Sequence, residues 1–209
     1  MPKLPFIFVH IPRTAGRSVL KAIGHPFDTE HKSIIDYCNE LTEPVVRSRL
    51  VFSTVRNPWE RAVSWYLFFG LHADPYDLVP FADWIVKRDP NKPVQGEPKF
   101  PLDQMRFCRN SNGEILVNTF MRFESLCKDF VSVAERLGVS PILPESGKGE
   151  RLEEAQRREA LYDQFKLPKI DLSSIAKDYR SAYMTQESID AVATIESDVI
   201  NRFGYDFKT

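Results

Sequence analysis

The sequence feature that most constrains the fold is a short apolar run that passes through a tight loop into a helix. Phe6 to Val9 are apolar and β-favouring, which predicts a buried strand. Pro12 to Gly16 predict a turn, and apolar residues from Val19 to Ile23 then recur at helical spacing. Backbone N–H groups and the helix dipole meet at such a junction, so the pattern indicates a place where an anion can bind.

This loop differs from the nucleotide-binding P-loop, whose pattern is G-x-x-x-x-G-K-[ST]. In the corresponding stretch, Ile11 to Ser18, the second Gly and the hydroxyl are kept, but Ile11 replaces the first Gly and Arg17 replaces the Lys. A loop that binds a triphosphate with Mg²⁺ tolerates these changes poorly, whereas a loop that binds one phosphate tolerates them well. Arg13 and Arg17 supply positive charge. Taken alone, the pattern also fits an ordinary connection between a strand and a helix.

A second strand–loop–helix unit follows. Leu50 to Val55 is apolar and β-branched, which predicts a central strand. Arg56 comes next, and Asn57 is placed as the N-cap of a helix that runs to about Phe69, with Glu60 reaching back in a capping box. In an open α/β sheet, ligands bind at the carboxyl ends of the strands, so both positively charged loops are expected at one edge.

Apolar spacing and turn residues predict the remaining elements. Helices are expected at residues 33–41, 81–87, 124–137, 151–164 and 185–203, a third strand at 115–120 and a proline-rich loop at 90–101. On the helix after Asn57, Trp59 belongs to the apolar face, while Arg61 and Ser64 belong to a more polar side. A chain of 209 residues is expected to form one domain.

Charge and cysteine content narrow the functional classes. The formal net charge of −1 argues against a large nucleic-acid-binding surface, so an anion site must be a local cluster of positive charge. The cysteines Cys38, Cys108 and Cys127 lack metal-ligand spacing and are interpreted as free thiols in a reducing compartment. We find no apolar run typical of a signal peptide or membrane span, so a cytoplasmic protein is expected, although an anchor outside this sequence stays possible.

Two motifs together resemble a known family. HIPRTAGRS follows the first predicted strand, and STVRNPWERAVSWY contains the end of the second. The pair is similar to the sulfotransferases that use 3′-phosphoadenosine 5′-phosphosulfate (PAPS), particularly the branch that includes carbohydrate sulfotransferases. In that branch the motifs read close to HIPKTAGTS and VRDPxERxxSxY. The later stretches FMRFESLCKDF and FGYDF also resemble it, so the resemblance covers most of the chain in the same order.

The resemblance implies an α/β, P-loop-like three-layer fold with a central, mainly parallel sheet flanked by helices, as one sulfotransferase domain over residues 1–209. It also implies PAPS as the sulfonyl donor, with no metal. Arg13 takes the position of the family's Lys, which contacts the bridging oxygen and stabilises the leaving phosphate. The other residues implied to surround that phosphate are Thr14, Ala15, Gly16, Arg17 and Ser18. Arg56 and Ser64 are implied to bind the 3′-phosphate.

The reaction that this implies needs a base for the acceptor hydroxyl. We favour His31, which lies between the two phosphate motifs, where relatives often place a catalytic His or Glu. His10 ends the first strand and is interpreted as a packed or orienting residue, and Glu30 or Asp28 is the base if His31 is not. Arg13 keeps the positive charge of the family's Lys but cannot donate a proton, so electrostatic stabilisation is its expected role.

The acceptor is expected to be a saccharide or another small hydroxylated molecule, and neither nucleic acid nor a membrane segment is expected as a partner. The alternatives are a P-loop nucleotide kinase or NTPase, and a nucleotide-binding protein without catalysis. Trp59 is either a core residue or an adenine-stacking residue. Lys148 either closes over the nucleotide or lies on the surface. The oligomeric state does not follow from the sequence.

Overall fold

The computed structural model describes residues 5–25, 31–69, 80–87, 102–144 and 172–208, together with residues 153, 156, 157, 159 and 160. The chain divides into two compact units. The first comprises Met1–Arg56 and Gln104–Ser146, and the second comprises Asn57–Asp103 and Gly147–Thr209. The expectation of a single domain over residues 1–209 stays a prediction.

A parallel sheet forms the centre of the first unit. Its strands are β1 (Phe6–Val9), β2 (Leu50–Val55) and β3 (Thr119–Arg122), in the order β1-β2-β3. Both neighbouring pairs are parallel, with Val9 opposite Ser53. The prediction of a mixed α/β fold with a parallel sheet is therefore confirmed.

The strands β1 and β2 have the bounds that the sequence predicts, whereas β3 begins later than the predicted 115–120. Ile115 instead forms an isolated antiparallel bridge with Arg109. The Asn118 N–H then donates to the Val51 carbonyl at 2.9 Å, just before the parallel pairing starts. The stretch 115–120 therefore takes part in two different pairings, and its β-favouring composition does not show where one ends and the other begins.

The described helices are numbered in chain order. They are α1 (Gly16–Ala22), α2 (Ile34–Leu41), α3 (Glu43–Arg47), α4 (Pro58–Phe69), α5 (Phe81–Val86), α6 (Leu126–Leu137), α7 (Leu172–Lys177), α8 (Gln186–Ile195) and α9 (Ser197–Phe203). Short 3₁₀ turns lie at Met105–Cys108, Phe123–Ser125 and Tyr179–Ala182. Among the described residues, none of these helices has the length and apolarity needed to cross a membrane.

Helices flank the sheet because they share one apolar core with it. Phe8 of β1 and Phe52 of β2 pack together with ring centroids 5.1 Å apart. Leu20 of α1 and Phe130 of α6 are buried in the same cluster. Burial of this apolar surface is the main force that holds the helices on the sheet.

Local interactions at the helix ends set the bounds of α2 and α6. Ser33 accepts a hydrogen bond from the Asp36 N–H, and the Asp36 carboxylate accepts one from the Ser33 N–H, so α2 begins directly after Ser33. Helix α6 starts later than the predicted residue 124 because Phe123–Ser125 form a 3₁₀ turn. It ends at Gly138, whose φ of 66° is the left-handed cap that glycine favours.

In the second unit, α4 has the predicted start and end. The Asn57 side-chain oxygen accepts hydrogen bonds from the N–H groups of Trp59 and Glu60 at 3.1 and 3.2 Å, which confirms Asn57 as the N-cap. The expectation of a polar side on this helix is wrong, because Arg61 and Ser64 are only 0% and 1% exposed. Helix α4 is an internal element of its unit rather than a surface helix.

The buried Arg61 is compensated by specific contacts. Its Nη1 lies 3.0 Å from Glu196 Oε1 and donates to the Leu102 carbonyl at 2.5 Å. The guanidinium also lies 4.9 Å from the centre of the Trp65 ring. A guanidinium inside the protein needs such partners, since a buried charge without them is very costly.

The predicted last helix, 185–203, is two helices. Helices α8 and α9 meet at Glu196, whose φ of −105° and ψ of 21° lie outside the α-helical region. The carboxylate of Glu196 is 1% exposed and pairs with Arg61. The break thus coincides with a buried ion pair between residues far apart in the chain, a contact that local helix periodicity does not reveal.

Two other expectations concern parts of the chain that are largely undescribed. The proline-rich loop 90–101 lies outside the described residues. Of the predicted helix 151–164, the described residues 153, 156, 157, 159 and 160 are helical.

The buried pair gives a stability prediction. Replacing Glu196→Leu leaves the Arg61 charge buried without its carboxylate, so the free energy of unfolding should fall by about 3–5 kcal/mol. Urea denaturation measures this change. Adding Arg61→Met should recover much of the loss, since a fully apolar replacement removes the unpaired charge.

A surface pair provides the control. Asp178 and Arg180 are also in contact, at 2.9 Å, but their side chains are 52% and 54% exposed. Asp178→Asn should therefore cost less than about 1 kcal/mol. An equal cost for Asp178→Asn and Glu196→Leu would contradict the interpretation of Arg61 as a buried charge that depends on one carboxylate.

Candidate functional site

The loop after β1 has an unusual backbone. Arg13 and Ala15 have φ values of 66° and 67°, in the left-handed region that residues with a Cβ rarely adopt. Each such residue costs about 1–2 kcal/mol, so the surrounding structure must stabilise the loop. Turns with left-handed residues direct backbone N–H groups into anion-binding concavities. The geometry is therefore consistent with an anion loop that the sequence predicts here.

Thr14 ties this loop to the neighbouring strand. Its hydroxyl donates to the Ile11 carbonyl at 2.7 Å and lies 2.5 Å from the Thr54 hydroxyl of β2. Because the Thr14 proton goes to Ile11, the Thr54 hydroxyl is the donor in the second bond. The Thr14 side chain thus stabilises the loop, and a contribution of Thr14 to phosphate binding would come from its backbone.

Gly16 begins α1 in close contact with the ring of His10. A Cβ at position 16 would lie 1.9 Å from His10 Cδ2 and 2.1 Å from His10 Nε2. Such distances are impossible without movement of the ring or the loop. Glycine is therefore required at this position by the close approach of an imidazole.

His10 connects the loop to His31. The His10 ring is 3% exposed, stacks on Phe8 and lies with its centroid 4.1 Å from that of His31. His31 Nδ1 lies 3.0 Å from the His10 carbonyl oxygen. A carbonyl can only accept, so Nδ1 carries a proton, and in the neutral ring Nε2 is then the nitrogen that accepts one. The favoured base thus lies beside the predicted phosphate loop.

The Arg56 side chain connects the second motif to the first. Its Nη1 donates to the Arg13 carbonyl at 3.1 Å, and its guanidinium lies 4.0 Å from the centre of the Phe123 ring. The side chain is almost fully buried. The two motifs, 43 residues apart in the chain, are therefore joined by a direct hydrogen bond.

Gln104 is a residue of this region that the sequence analysis missed. Its Oε1 accepts from the Arg56 N–H and its Nε2 donates to the Arg56 carbonyl, both at 3.0 Å. The side chain is fully buried. Gln104 thus binds the N–H and the carbonyl of Arg56, the residue directly after β2. In a longer strand, the backbone of a neighbouring strand would make these two hydrogen bonds. No motif or spacing in the sequence signals this contact, and none assigns a role to Phe123.

The other predicted site residues have different environments. Arg17 is exposed on α1, Arg13 and Ala15 are half-buried, and Ser18 is buried. Ser64 lies on α4, in the second unit. Its proposed role with Arg56 stays a prediction from the sequence. The alternative bases Asp28 and Glu30, and Lys148, lie outside the described residues.

Trp59 is a core residue of the second unit. It is 5% exposed, and its indole N–H donates to the Ile189 carbonyl at 3.1 Å. Its ring packs edge-on against Phe207, with centroids 5.9 Å apart. The Tyr183 hydroxyl donates to the Trp59 carbonyl at 2.8 Å, and deep burial raises the pKa of that phenol well above its ordinary value. These contacts favour the core interpretation over adenine stacking.

The structure describes all three cysteines as free thiols, namely Cys38, Cys108 and Cys127. Burial raises the pKa of the Cys38 thiol, and the nearby Glu43 raises it further, so this cysteine is held in its less nucleophilic form. The part of the chain that the structure describes contains no cluster of three His, Cys, Asp or Glu residues suited to a metal ion.

Comparisons of the chain with protein-family models, with curated proteins and with solved structures gave no match.

The contact of Gly16 with His10 gives a prediction. Gly16→Ala should displace the His10 ring and lower the free energy of unfolding by about 1–3 kcal/mol, measured by chemical denaturation. The same substitution should cost at least about 1 kcal/mol less in a His10→Ala background, because the clash is then absent.

Gly138→Ala is the matched control. It introduces a Cβ at φ 66° with no atom within 4 Å, so its cost is conformational and should be equal in both backgrounds. If Gly16→Ala also costs the same with and without the His10 ring, the ring is not what requires glycine at position 16.

Proposed function

We propose that this protein is a PAPS-dependent sulfotransferase with a P-loop-like three-layer fold. It would transfer a sulfonyl group to a hydroxyl of a saccharide or another small molecule. The observation that carries the proposal is the hydrogen bond from Arg56 Nη1 to the Arg13 carbonyl. It joins the two motifs on which the sulfotransferase resemblance depends, and it joins them at the carboxyl ends of adjacent parallel strands, where α/β proteins bind ligands.

The residues of this region fit an anionic nucleotide. The left-handed turn at Arg13 and Ala15, with the side chains of Arg13 and Arg17, suits the 5′-phosphosulfate. Arg56 suits the 3′-phosphate, since a guanidinium has five N–H donors and can bind a carbonyl and a terminal phosphate together. The Ser64 hydroxyl is proposed as a further donor to the 3′-phosphate on the basis of the motif.

The bound donor would supply an activated sulfonyl group whose leaving group is a phosphate of low basicity. Arg13 and Arg17 would stabilise the negative charge that develops on that phosphate. His31 would take the acceptor's proton at Nε2, because Nδ1 is bonded to the His10 carbonyl. The acceptor oxygen forms the new bond to sulfur as the bond from sulfur to the bridging oxygen breaks. Positioning and charge neutralisation would supply most of the catalysis.

Two competing functions are a P-loop kinase or NTPase and a nucleotide-binding protein without catalysis. A P-loop kinase or NTPase needs a loop Lys and an acidic Mg²⁺ ligand after a strand. Arg17 occupies the position of that Lys, and Arg56 follows β2. A nucleotide-binding protein without catalysis would share the phosphate contacts, so turnover distinguishes it from an enzyme.

Nucleotide binding tests the 3′-phosphate site. Without Mg²⁺, 3′-phosphoadenosine 5′-phosphate should raise the melting temperature more than ADP does, and Arg56→Met should abolish the difference. Arg136→Met is the control, since this exposed arginine contacts Thr119 on β3 and should leave the difference intact. Equal stabilisation of the wild type by both nucleotides would count against a 3′-phosphate site.

Turnover tests the base. With radiolabelled PAPS and a panel of saccharides, His31→Ala should lose transfer by about 10²–10⁴-fold while keeping the nucleotide-induced shift, because the base acts on the acceptor. His25 follows α1, and its N–H donates to the Leu20 carbonyl. His25→Ala should leave the transfer rate and the nucleotide-induced shift unchanged. Full activity of His31→Ala would exclude His31 as the base, and no transfer by the wild type to any acceptor would favour a binding protein.

A further inference from the structure

We propose that Gln104 and Phe123 are positioning residues that give this site its selectivity for a 3′-phosphate, because together they hold Arg56 in place. This inference rests on the proposed function. The motifs assign no role to either residue. Through Arg56, both would help the site distinguish the phosphorylated nucleotide from its analogue without the 3′-phosphate.

Gln104 determines the position of the Arg56 backbone. A side-chain amide has one acceptor and one donor group, like a peptide bond, and Gln104 uses them on the N–H and the carbonyl of the same residue, each at 3.0 Å. Both residues are buried, where an unmade hydrogen bond of the backbone is costly. The pair therefore acts as a short extension of strand pairing beyond Val55, where β2 ends.

Phe123 determines the direction of the Arg56 side chain. The guanidinium carbon lies 4.0 Å from the centre of the ring, a distance typical of a cation–π contact. At the same time, Nη1 is bonded to the Arg13 carbonyl at 3.1 Å. A ring on one face and a carbonyl at one edge restrict the rotation of the planar guanidinium.

Such restriction matters for selectivity. A flexible arginine loses side-chain entropy when it binds a phosphate, whereas an arginine that is already ordered loses little. Bidentate bonding also depends on the orientation of the guanidinium plane. Loss of either support should therefore weaken binding of the 3′-phosphate specifically, with little effect on the rest of the nucleotide.

The experiment compares dissociation constants for 3′-phosphoadenosine 5′-phosphate and AMP by calorimetry. In the wild type, the bisphosphate should bind more tightly. In Gln104→Met and in Phe123→Leu, that preference should fall by about tenfold while the AMP constant stays unchanged. Phe123→Tyr keeps an aromatic face and should retain the preference.

Asn110→Leu is the matched control for loss of a buried amide. Asn110 is 4% exposed, lies in the same unit, and its Oδ1 accepts from the N–H groups of Asn112 and Glu114 at 3.0 and 2.9 Å. Its Nδ2 donates to the Glu43 carboxylate at 3.1 Å, so the hydrogen bonds described for this side chain go to residues other than Arg56. Loss of the Asn110 amide should therefore lower stability without changing the nucleotide preference. Hydrogen exchange of the Arg56 amide, measured without nucleotide, should accelerate in Gln104→Met but not in Asn110→Leu.

The outcomes separate the two proposals. A preference that persists in both Gln104→Met and Phe123→Leu would overturn the inference and leave the proposed function intact. Equal weakening of both nucleotides would also overturn it, because it would show a general structural role. A wild type without any preference would overturn the 3′-phosphate site itself, and the inference with it.

Discussion

The parallel pairing of β1 with β2 is the constraint on which the candidate site depends. Its register places Val9 opposite Ser53, and the Ser53 hydroxyl donates to the Val9 carbonyl at 2.7 Å. Parallel strands end at the same edge of a sheet, so the loop after β1 and Arg56 after β2 come together there. A shift of the register by one residue would turn each side chain of β2 to the opposite face and separate these groups.

Elements with strong local signals could be predicted from the sequence. The apolar runs of β1 and β2 and the N-cap Asn57 depend on residues close together in the chain, and all three are found where they were expected. The proximity of the two motif loops also follows from sequence, because alternating strands and helices favour a parallel sheet.

The features that escaped prediction depend on contacts between distant residues. The amide of Gln104 acts on Arg56 across 48 residues, and the break at Glu196 accompanies an ion pair across 135 residues. Arg61 looks like a surface residue of α4 until that carboxylate is known. The requirement for Gly16 likewise depends on where the His10 ring lies, and no pattern of spacing encodes the position of a ring.

Arg13 illustrates why the site must be considered as a unit. Under the proposed function its side chain would take the position of a Lys, and a guanidinium that cannot donate a proton can still stabilise charge on a weakly basic leaving group. Its carbonyl meanwhile accepts from Arg56, and its left-handed backbone gives the loop its turn. The residue thus contributes charge through its side chain and position through its backbone. Because the backbone contribution would be the same for Arg and Lys, the proposed function predicts that an Arg here alters the interaction with the leaving group without changing how the two loops are joined.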